Sequence, residues 1–449
     1  MQGKARQSPP AHNGTHPFLC VVLAMTLHSD VLIVGAGPAG LSLAISLAQA
    51  GLTATVVEQQ PESALAQPAP DGREIALTHP SRATLQRLGT WAQLADHEVG
   101  TIHQAQVHDG PLGHHSALQL STPPNAPSHP RGGAATEPLG FIVPNHALRR
   151  SAYAVAARIP GVRIVTNAQV TRVATLGMRA ELEYVSADST ATPERLCAPL
   201  LVAADSRFSA TRRQLGIGAQ MTDFGRTVIV CRMRHARPHG GVAHECFGYE
   251  RTLAMLPLPD DPLSGEALCS VVVTAAAADA AALMALSPVA FAAQVQAQFN
   301  ARLGPMQLVG ERHAYPLVAV YAQRFTGPRC ALLGDAAVGM HPVTAHGYNL
   351  GLAGVERLTA ALVAARERGQ DIGSFEALAA YAHAHHRHAW PIYQGTNAIV
   401  RLYTDPRPVP RLLRQWVLQG ARRLPPLQAA IVGQLTGQPP RWMRALAPR

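Results

Sequence analysis

The feature that most limits what this chain can fold into is the run Gly35-Ala36-Gly37-Pro38-Ala39-Gly40, set between an apolar run and a helical repeat. Residues 30–34 read as a buried parallel strand, because they are short in extent, apolar and β-branched. Residues 41–50 have helical spacing, and Gly51 ends them. Residues 53–57 read as a second strand, closed by Glu58, 18 residues beyond Gly40. In this order each glycine has its own task. Gly35 allows a tight turn, Gly37 lets the backbone approach a pyrophosphate, and Gly40 lets helix and strand pack closely. The helix N-terminus faces phosphate charge, and Glu58 accepts hydrogen bonds from ribose hydroxyls. The segment therefore predicts a Rossmann-type dinucleotide site, and an acidic Glu58 favours NAD or FAD over NADP. Residues 31–57 carry no charge over 27 positions, long enough for a membrane span, but the glycine turn accounts for them better.

Two later segments share this grammar. Residues 330–333 form an apolar run that ends in Gly334-Asp335, followed by Val338, His341, Pro342, His346, Gly347 and Asn349. Residues 200–204 form another, ending in Asp205-Ser206-Arg207-Phe208-Ser209 and Arg212. Together with the glycine turn they resemble the flavoprotein monooxygenases with the p-hydroxybenzoate hydroxylase fold, over about residues 28–400. Within that group the stretches around Arg73, Asn145, Asp205 and His346 are most similar to the ubiquinone-biosynthesis hydroxylases of the UbiH/UbiF/UbiM type. The resemblance implies an α/β fold: a Rossmann-type FAD-binding domain with a β-sheet substrate domain inserted, p-hydroxybenzoate hydroxylase-like.

The resemblance also assigns roles. Gly35, Ala36, Gly37, Pro38, Ala39, Gly40 and Glu58 bind the FAD nucleotide. Asp335 bonds the ribityl chain, and Pro342 belongs to the same motif. The backbone at His346 and Gly347 faces the flavin pyrimidine, where a helix N-terminus would stabilise negative charge on the reduced ring. Arg73 lies near the phosphates and flavin, Asn145 starts a helix that touches FAD, and Asp205 serves the cofactor or a nicotinamide groove. Each also has a plainer reading: a surface ion pair for Arg73, a helix cap for Asn145, a turn former for Asp205. The implied chemistry is oxygen transfer from a flavin C4a-hydroperoxide to a ring carbon of a polyprenylated phenol or quinol, with O2 as co-substrate. NAD(P)H visits as a transient reductant, or an external donor supplies the electrons. A monooxygenase of small soluble aromatics and a non-catalytic flavin-binding subunit are the alternatives. No catalytic residue is named; His341, His346 and His244 are the candidates for tuning the substrate hydroxyl.

Four positions depart from the wider family: Ser206 for glycine, Val338 for histidine, His346 for glutamine and Gly354 for aspartate. They read as subgroup features. The expected domains are an N-terminal extension at 1–27, a discontinuous FAD-binding domain at 28–105, 140–215 and 310–400, a substrate-side sheet at 106–139 and 216–309, and a basic tail at 401–449. The extension is expected to be disordered, and residues 121–136 a loop. Strands are expected at 227–234 and 268–274.

Composition bounds the chemistry. Lys4 is the only lysine among 38 basic residues, which removes lysine-dependent catalysis, halogenase chemistry included. The six cysteines form no C-x-x-C pair, so neither a metal site nor a disulfide framework is expected, and a reducing, cytoplasmic setting fits. His383, His385, His386 and His388 read as a solvated helix face rather than metal ligands. The net charge is +10, but residues 401–449 hold nine arginines and one acid, Asp405, so the catalytic body is nearly neutral. No nucleic-acid-binding motif is present. The tail reads either as a contact with the inner membrane or with partner proteins of the pathway, or as a helical cap on the FAD domain.

Overall fold

The computed structural model describes residues 29–110, 112, 117–122, 137–186, 193–248, 250–340, 346–404 and 407–438. The extension at 1–27, most of the 121–136 loop, His341 and Pro342 lie outside the described residues.

The glycine turn sits in a six-stranded sheet. Its order is Thr326–Gly327, Cys330–Leu332, Leu200–Ala203, Val31–Val34, Ala54–Val57 and Val162–Val165. Val31–Val34 lies at the point where the strand order reverses, parallel to both neighbours. The strands Val31–Val34, Ala54–Val57 and Leu200–Ala203 are buried throughout, as apolar strands covered on both faces must be. Their core is completed by the helices Pro38–Gln49, Gly347–Glu367 and Phe375–Thr404. Crevices at such a switch point are where open α/β sheets bind ligands.

An eight-stranded sheet faces this domain. Its order is Val338–Gly339, Met306–Ala322, Ala219–His235, Leu268–Ala276, Thr252–Pro257, Val242–Phe247, Gln104–Asp109 and Leu118–Ser121. Strand pleating divides its side chains between two sides. Ile229, Cys231, Met255, Val271 and Val273 pack under the helices Ala277–Ala285 and Pro288–Gln298. Val228, Val230, Val272 and Tyr315 take the other side. That side looks toward the 71–73 loop: a Cβ on Gly72 would stand 3.0 Å from a Val230 methyl. A small sheet of Glu74–Leu77, Gly140–Pro144 and Gly100–Ile102 joins the two halves.

Two expected boundaries shift. The one at 309/310 falls inside Met306–Ala322, which pairs with Ala219–His235 along its whole length. Pro316 interrupts the strand signal in the sequence, but the partner strand changes register between Asp223 and Thr227, beside Pro316, where a ladder hydrogen bond is missing in any case. The boundary at 400/401 falls inside the helix Phe375–Thr404.

The described part of the tail beyond residue 406 is helical. The helices Pro408–Arg423 and Pro425–Thr436 cover the edge strand Leu118–Ser121, through Leu418, Ala421, Ile431, Val432 and Leu435 against Leu118 and Leu120. The cap therefore sits chiefly on the eight-stranded sheet, not on the FAD-type domain alone. Its far end reaches across: a Cβ on Gly437 would lie 2.9 Å from Pro80.

Candidate functional site

The three motifs, distant in sequence, meet at the glycine turn. Gly35 has φ +105°, and a Cβ there would lie 2.7 Å from the Ala204 carbonyl oxygen and 2.8 Å from Asp205 Cα. Gly334 has φ +59°, and its Cβ would stand 3.2 Å from Ala39. So the turns bearing Asp205 and Asp335 close onto residues 35–40. Gly37 differs from its neighbours: nothing lies within 4 Å of its Cβ position. Glu58 ends the second strand and accepts from the Ala36 N–H at 2.7 Å.

Asp71, which the sequence did not single out, is the hub of the next shell. Arg73 is paired with its carboxylate, and Asn145 Nδ2 donates to it at 2.7 Å. Burial pushes the Asp71 carboxyl up, but the Arg73 guanidinium and the bonds from Arg73 and Asn145 together hold it below its ordinary value. Tyr315 donates to the Asp71 carbonyl at 2.8 Å, and the Arg73 guanidinium lies over the Tyr315 ring. Asn145 is the first residue of the helix Asn145–Ala156 and is turned toward Asp71, so it is not that helix's cap. Beside them, Glu74 is buried and paired with Arg232 at 2.8 Å. Burial pushes the Glu74 carboxyl up against the pull of Arg232.

Asp205 accepts from the Ser209 hydroxyl at 2.5 Å and from the Thr211 N–H at 3.3 Å, so its carboxylate is engaged in its own turn. Asp335 remains accessible and is met by Arg207 at 3.2 Å. His346 precedes the 21-residue helix Gly347–Glu367 and makes no side-chain cap to it. Unsatisfied N–H groups at such a terminus favour an anion. His346 is buried, with Nε2 3.1 Å from Gln434 Nε2 on the tail helix Pro425–Thr436. Asn349, one turn in, donates to the Ala76 carbonyl and accepts from the Thr78 N–H, locking this helix to the small sheet.

The histidine-rich helix corrects the expectation of a solvated face. His383, His386 and His388 lie on the outside, but His385 is 1% exposed and stacks on Tyr381. His386 is not idle either, with Nδ1 2.9 Å from the Tyr321 hydroxyl. His385 also explains Gly354: a Cβ there would lie 2.8 Å from Leu333 and 3.3 Å from the His385 ring. The aspartate common at this position has no room. Burial, with Arg357 next in effect, pushes His385 down to about 3, from 6.5. Its neutral form thus supports the fold above about pH 6.5, and that support is lost as pH falls toward 3. We expect His385→Leu to remove about 2 kcal/mol of the stability lost between pH 7.5 and pH 5. Denaturant titrations of both proteins at the two pH values check this; equal losses contradict it.

His244, a sequence candidate, faces away from the site. It contacts His108 and Phe299 on the side covered by the helix Pro288–Gln298, and burial pushes it down to about 4. Among the described residues no group of three or more His, Cys, Asp or Glu is placed to hold a metal. The five described cysteines are buried, and none is in a disulfide.

The ubiquinone hydroxylase UbiM of Neisseria meningitidis is 45% identical over 93% of this chain and 87% of its own. The ubiquinone hydroxylase UbiL of Rhodospirillum rubrum is 32% identical over 99% of this chain and 98% of its own. Among solved structures, p-nitrophenol 4-monooxygenase PnpA from Pseudomonas putida superposes with a TM-score of 0.69 at 18% identity, covering 93% of this chain and all of that one. This likeness shows a shared fold. The FAD binding domain model matches residues 28–396. Together with the glycine turn and the two acidic turns closed upon it, this shows that the chain belongs to the FAD binding domain family.

Proposed function

We propose that this protein is an FAD-dependent monooxygenase that hydroxylates the ring of a polyprenylated phenol or quinol on the way to ubiquinone. The observation that carries the cofactor reading is the contrast within one turn. Gly35 and Gly40 are shut in by protein, while Gly37 faces open space opposite Glu58. That is the cradle a pyrophosphate fills. The near-full-length likeness to two ubiquinone hydroxylases supports the substrate class.

In this reading residues 35–40 bind the pyrophosphate, and Glu58 exchanges its backbone partner for ribose hydroxyls. Asp335 receives the ribityl chain, and Arg73, held by Asp71 and Asn145, meets the phosphate or flavin edge. The start of the helix Gly347–Glu367 faces the pyrimidine ring. Asp205 acts through its turn, not by direct contact. When bound, FAD supplies the redox and oxygen-transfer chemistry. The protein orients the ring, excludes water and manages protons. The two-electron reductant is NAD(P)H on a passing visit or an external donor.

The tail helices suit a second task. Their outer side carries Trp416, Val417, Leu424 and Leu427, 75%, 47%, 55% and 40% exposed, beside Arg422 and Arg423. Apolar residues rimmed by arginine fit an anionic membrane surface, where the substrate's prenyl chain resides. No helix of the described residues is long and apolar enough to cross a membrane. Complementation of strains each blocked at one ubiquinone ring hydroxylation, with quinone masses measured, tests the substrate. Restored ubiquinone in one or more is expected; failure in every strain rejects it.

A further inference from the structure

We propose that Glu245 is a catalytic residue, the group that meets the substrate's ring hydroxyl and takes its proton. This rests on the reading of the substrate as a phenol or quinol. It supplies the acid–base residue for which the sequence offered only histidines.

The pleat decides the assignment. Glu245 follows His244 in Val242–Phe247, so the two point to opposite sides of the eight-stranded sheet. His244 points under the helix Pro288–Gln298. Glu245 lies in the row His313, Val230, Val272, Ala254, Glu245, Val107, set by direct strand pairing. Val230 in that row touches the 72 position of the arginine loop, and Glu245 stands three strands along, about 14 Å away.

The residues that flank it on the same side are packed against other elements. Two residues before it, Ala243 packs with Ile142 of the small sheet and Val432 of the tail. Two residues after it, the Phe247 ring lies 4.1 Å from that of Tyr403. Val432 and Gln434 are two residues apart on one tail helix, and Gln434 contacts His346. Val432 and Gln434 point to different sides of the helix Pro425–Thr436, so that helix touches both the Ala243 cluster and His346.

Among these neighbours Glu245 is an anomaly. Its row neighbours are Val272, Ala254 and Val107, yet it carries a carboxyl that is partly accessible and enclosed. Among the described residues no donor and no cation reaches it. The charged and titratable groups on this side lie elsewhere: Asp109 with Arg414 and Tyr403, Glu74 with Arg232, then His313 and His346. The tail helix Pro425–Thr436 brings no charge. Burial alone pushes the Glu245 carboxyl up to about 8, close to the range in which a carboxylate is a useful general base. Among the described residues a structural role has nothing to hold; a ring hydroxyl brought to this side of the sheet would be its partner.

The step balances. The phenol O–H bond breaks, and the proton goes to a Glu245 carboxylate oxygen. The electron pair left on the ring oxygen enriches the ortho and para carbons, one of which receives an oxygen atom of O2. Glu245 then returns its proton to the original ring oxygen. The proton lost from the hydroxylated carbon leaves with the second oxygen atom as water, the two electrons coming from the reductant already required.

The test uses the FAD-loaded full chain, Glu245→Gln, Glu245→Asp and 2-geranylphenol. Ultraviolet difference spectra of binding to the oxidised protein read phenolate directly, without turnover. Wild type should show phenolate rising with pH with a midpoint near pH 8, and E245Q none. Single-turnover hydroxylation should fall about a hundredfold in E245Q, with O2 consumption uncoupled from product and the rising pH limb lost. Glu245→Asp should restore part of both signals. FAD content should be unchanged in all three. E245Q with hydroxylation within threefold of wild type and the same pH limb overturns the proposal. A wild-type protein that binds the probe without forming phenolate also overturns it. A wild-type protein that forms Glu245-dependent phenolate without hydroxylating it upholds the proton transfer and defeats the substrate reading instead.

Discussion

Gly40→Ala protein is expected to lose stability and FAD together, whereas Gly37→Val protein keeps its apo stability and loses FAD alone. A Cβ on Gly40 would lie 2.1 Å from the Gly35 carbonyl oxygen, a backbone atom of the very turn that cradles the phosphates. No rotamer change relieves that contact, so the helix Pro38–Gln49 must lift from its strand. Overpacking of this kind costs about 1–3 kcal/mol and disorders the N–H groups that would meet the pyrophosphate. At Gly37 nothing lies within 4 Å, and its φ of −67° suits any residue. A side chain there meets only the cofactor. Melting curves with and without added FAD, and the FAD-to-protein ratio after purification, separate the two. An FAD affinity drop of about a hundredfold is expected for both, a displacement of roughly 2–3 kcal/mol. Stoichiometric FAD in Gly37→Val would remove the proposed site.

Arg414→Ala should be among the most damaging single changes outside the flavin crevice, at about 3–5 kcal/mol. Arg414 is 0% exposed. Its guanidinium lies 3.4 Å from Asp109, donates to the Tyr403 carbonyl at 2.8 Å and sits over the Tyr403 ring. Removing it takes the Arg414 charge away from the enclosed Asp109 carboxylate. It also unfastens the tail helices from the sheet edge, so faster proteolysis between the helices Pro408–Arg423 and Pro425–Thr436 should accompany the stability loss. Because Gln434 touches His346 from the same tail, bound-flavin fluorescence should change as well. The double change Asp109→Leu with Arg414→Met should recover most of the stability, since a buried pair is missed most when only one partner goes. Denaturant midpoints of the three proteins decide it; an Arg414→Ala midpoint equal to wild type contradicts the fastening role.

The Rossmann unit was legible because its signals are local. A short apolar strand, three glycines with separate steric duties and an acidic strand end lie within residues 30–58, and each has a reason that needs no distant residue. The extent of the inserted sheet was harder to read. Pro316 resembles a break, and only the register change on the partner strand shows how a 17-residue strand contains it. Asp71 was missed because it is an ordinary acid beside a glycine until Asn145, 74 positions away, donates to it. His244 drew notice as a histidine, while Glu245 beside it did not; strand alternation alone cannot say which side is the interior until the neighbouring strands and helices are placed.

The sequence by itself determined the dinucleotide turn, the likeness to flavin monooxygenases and the concentration of positive charge in the tail. Those features depend on residue type and short spacing. Only the tertiary structure decided that the tail packs a fully buried arginine against the substrate-side sheet and reaches the loop before Gly347. Likewise only the fold decided that Gly354 makes room for a histidine, and that Glu245, not His244, shares the side of the sheet that carries Val230. Each of these turns on which side of an element is covered, and that is settled by contacts between segments dozens to hundreds of residues apart.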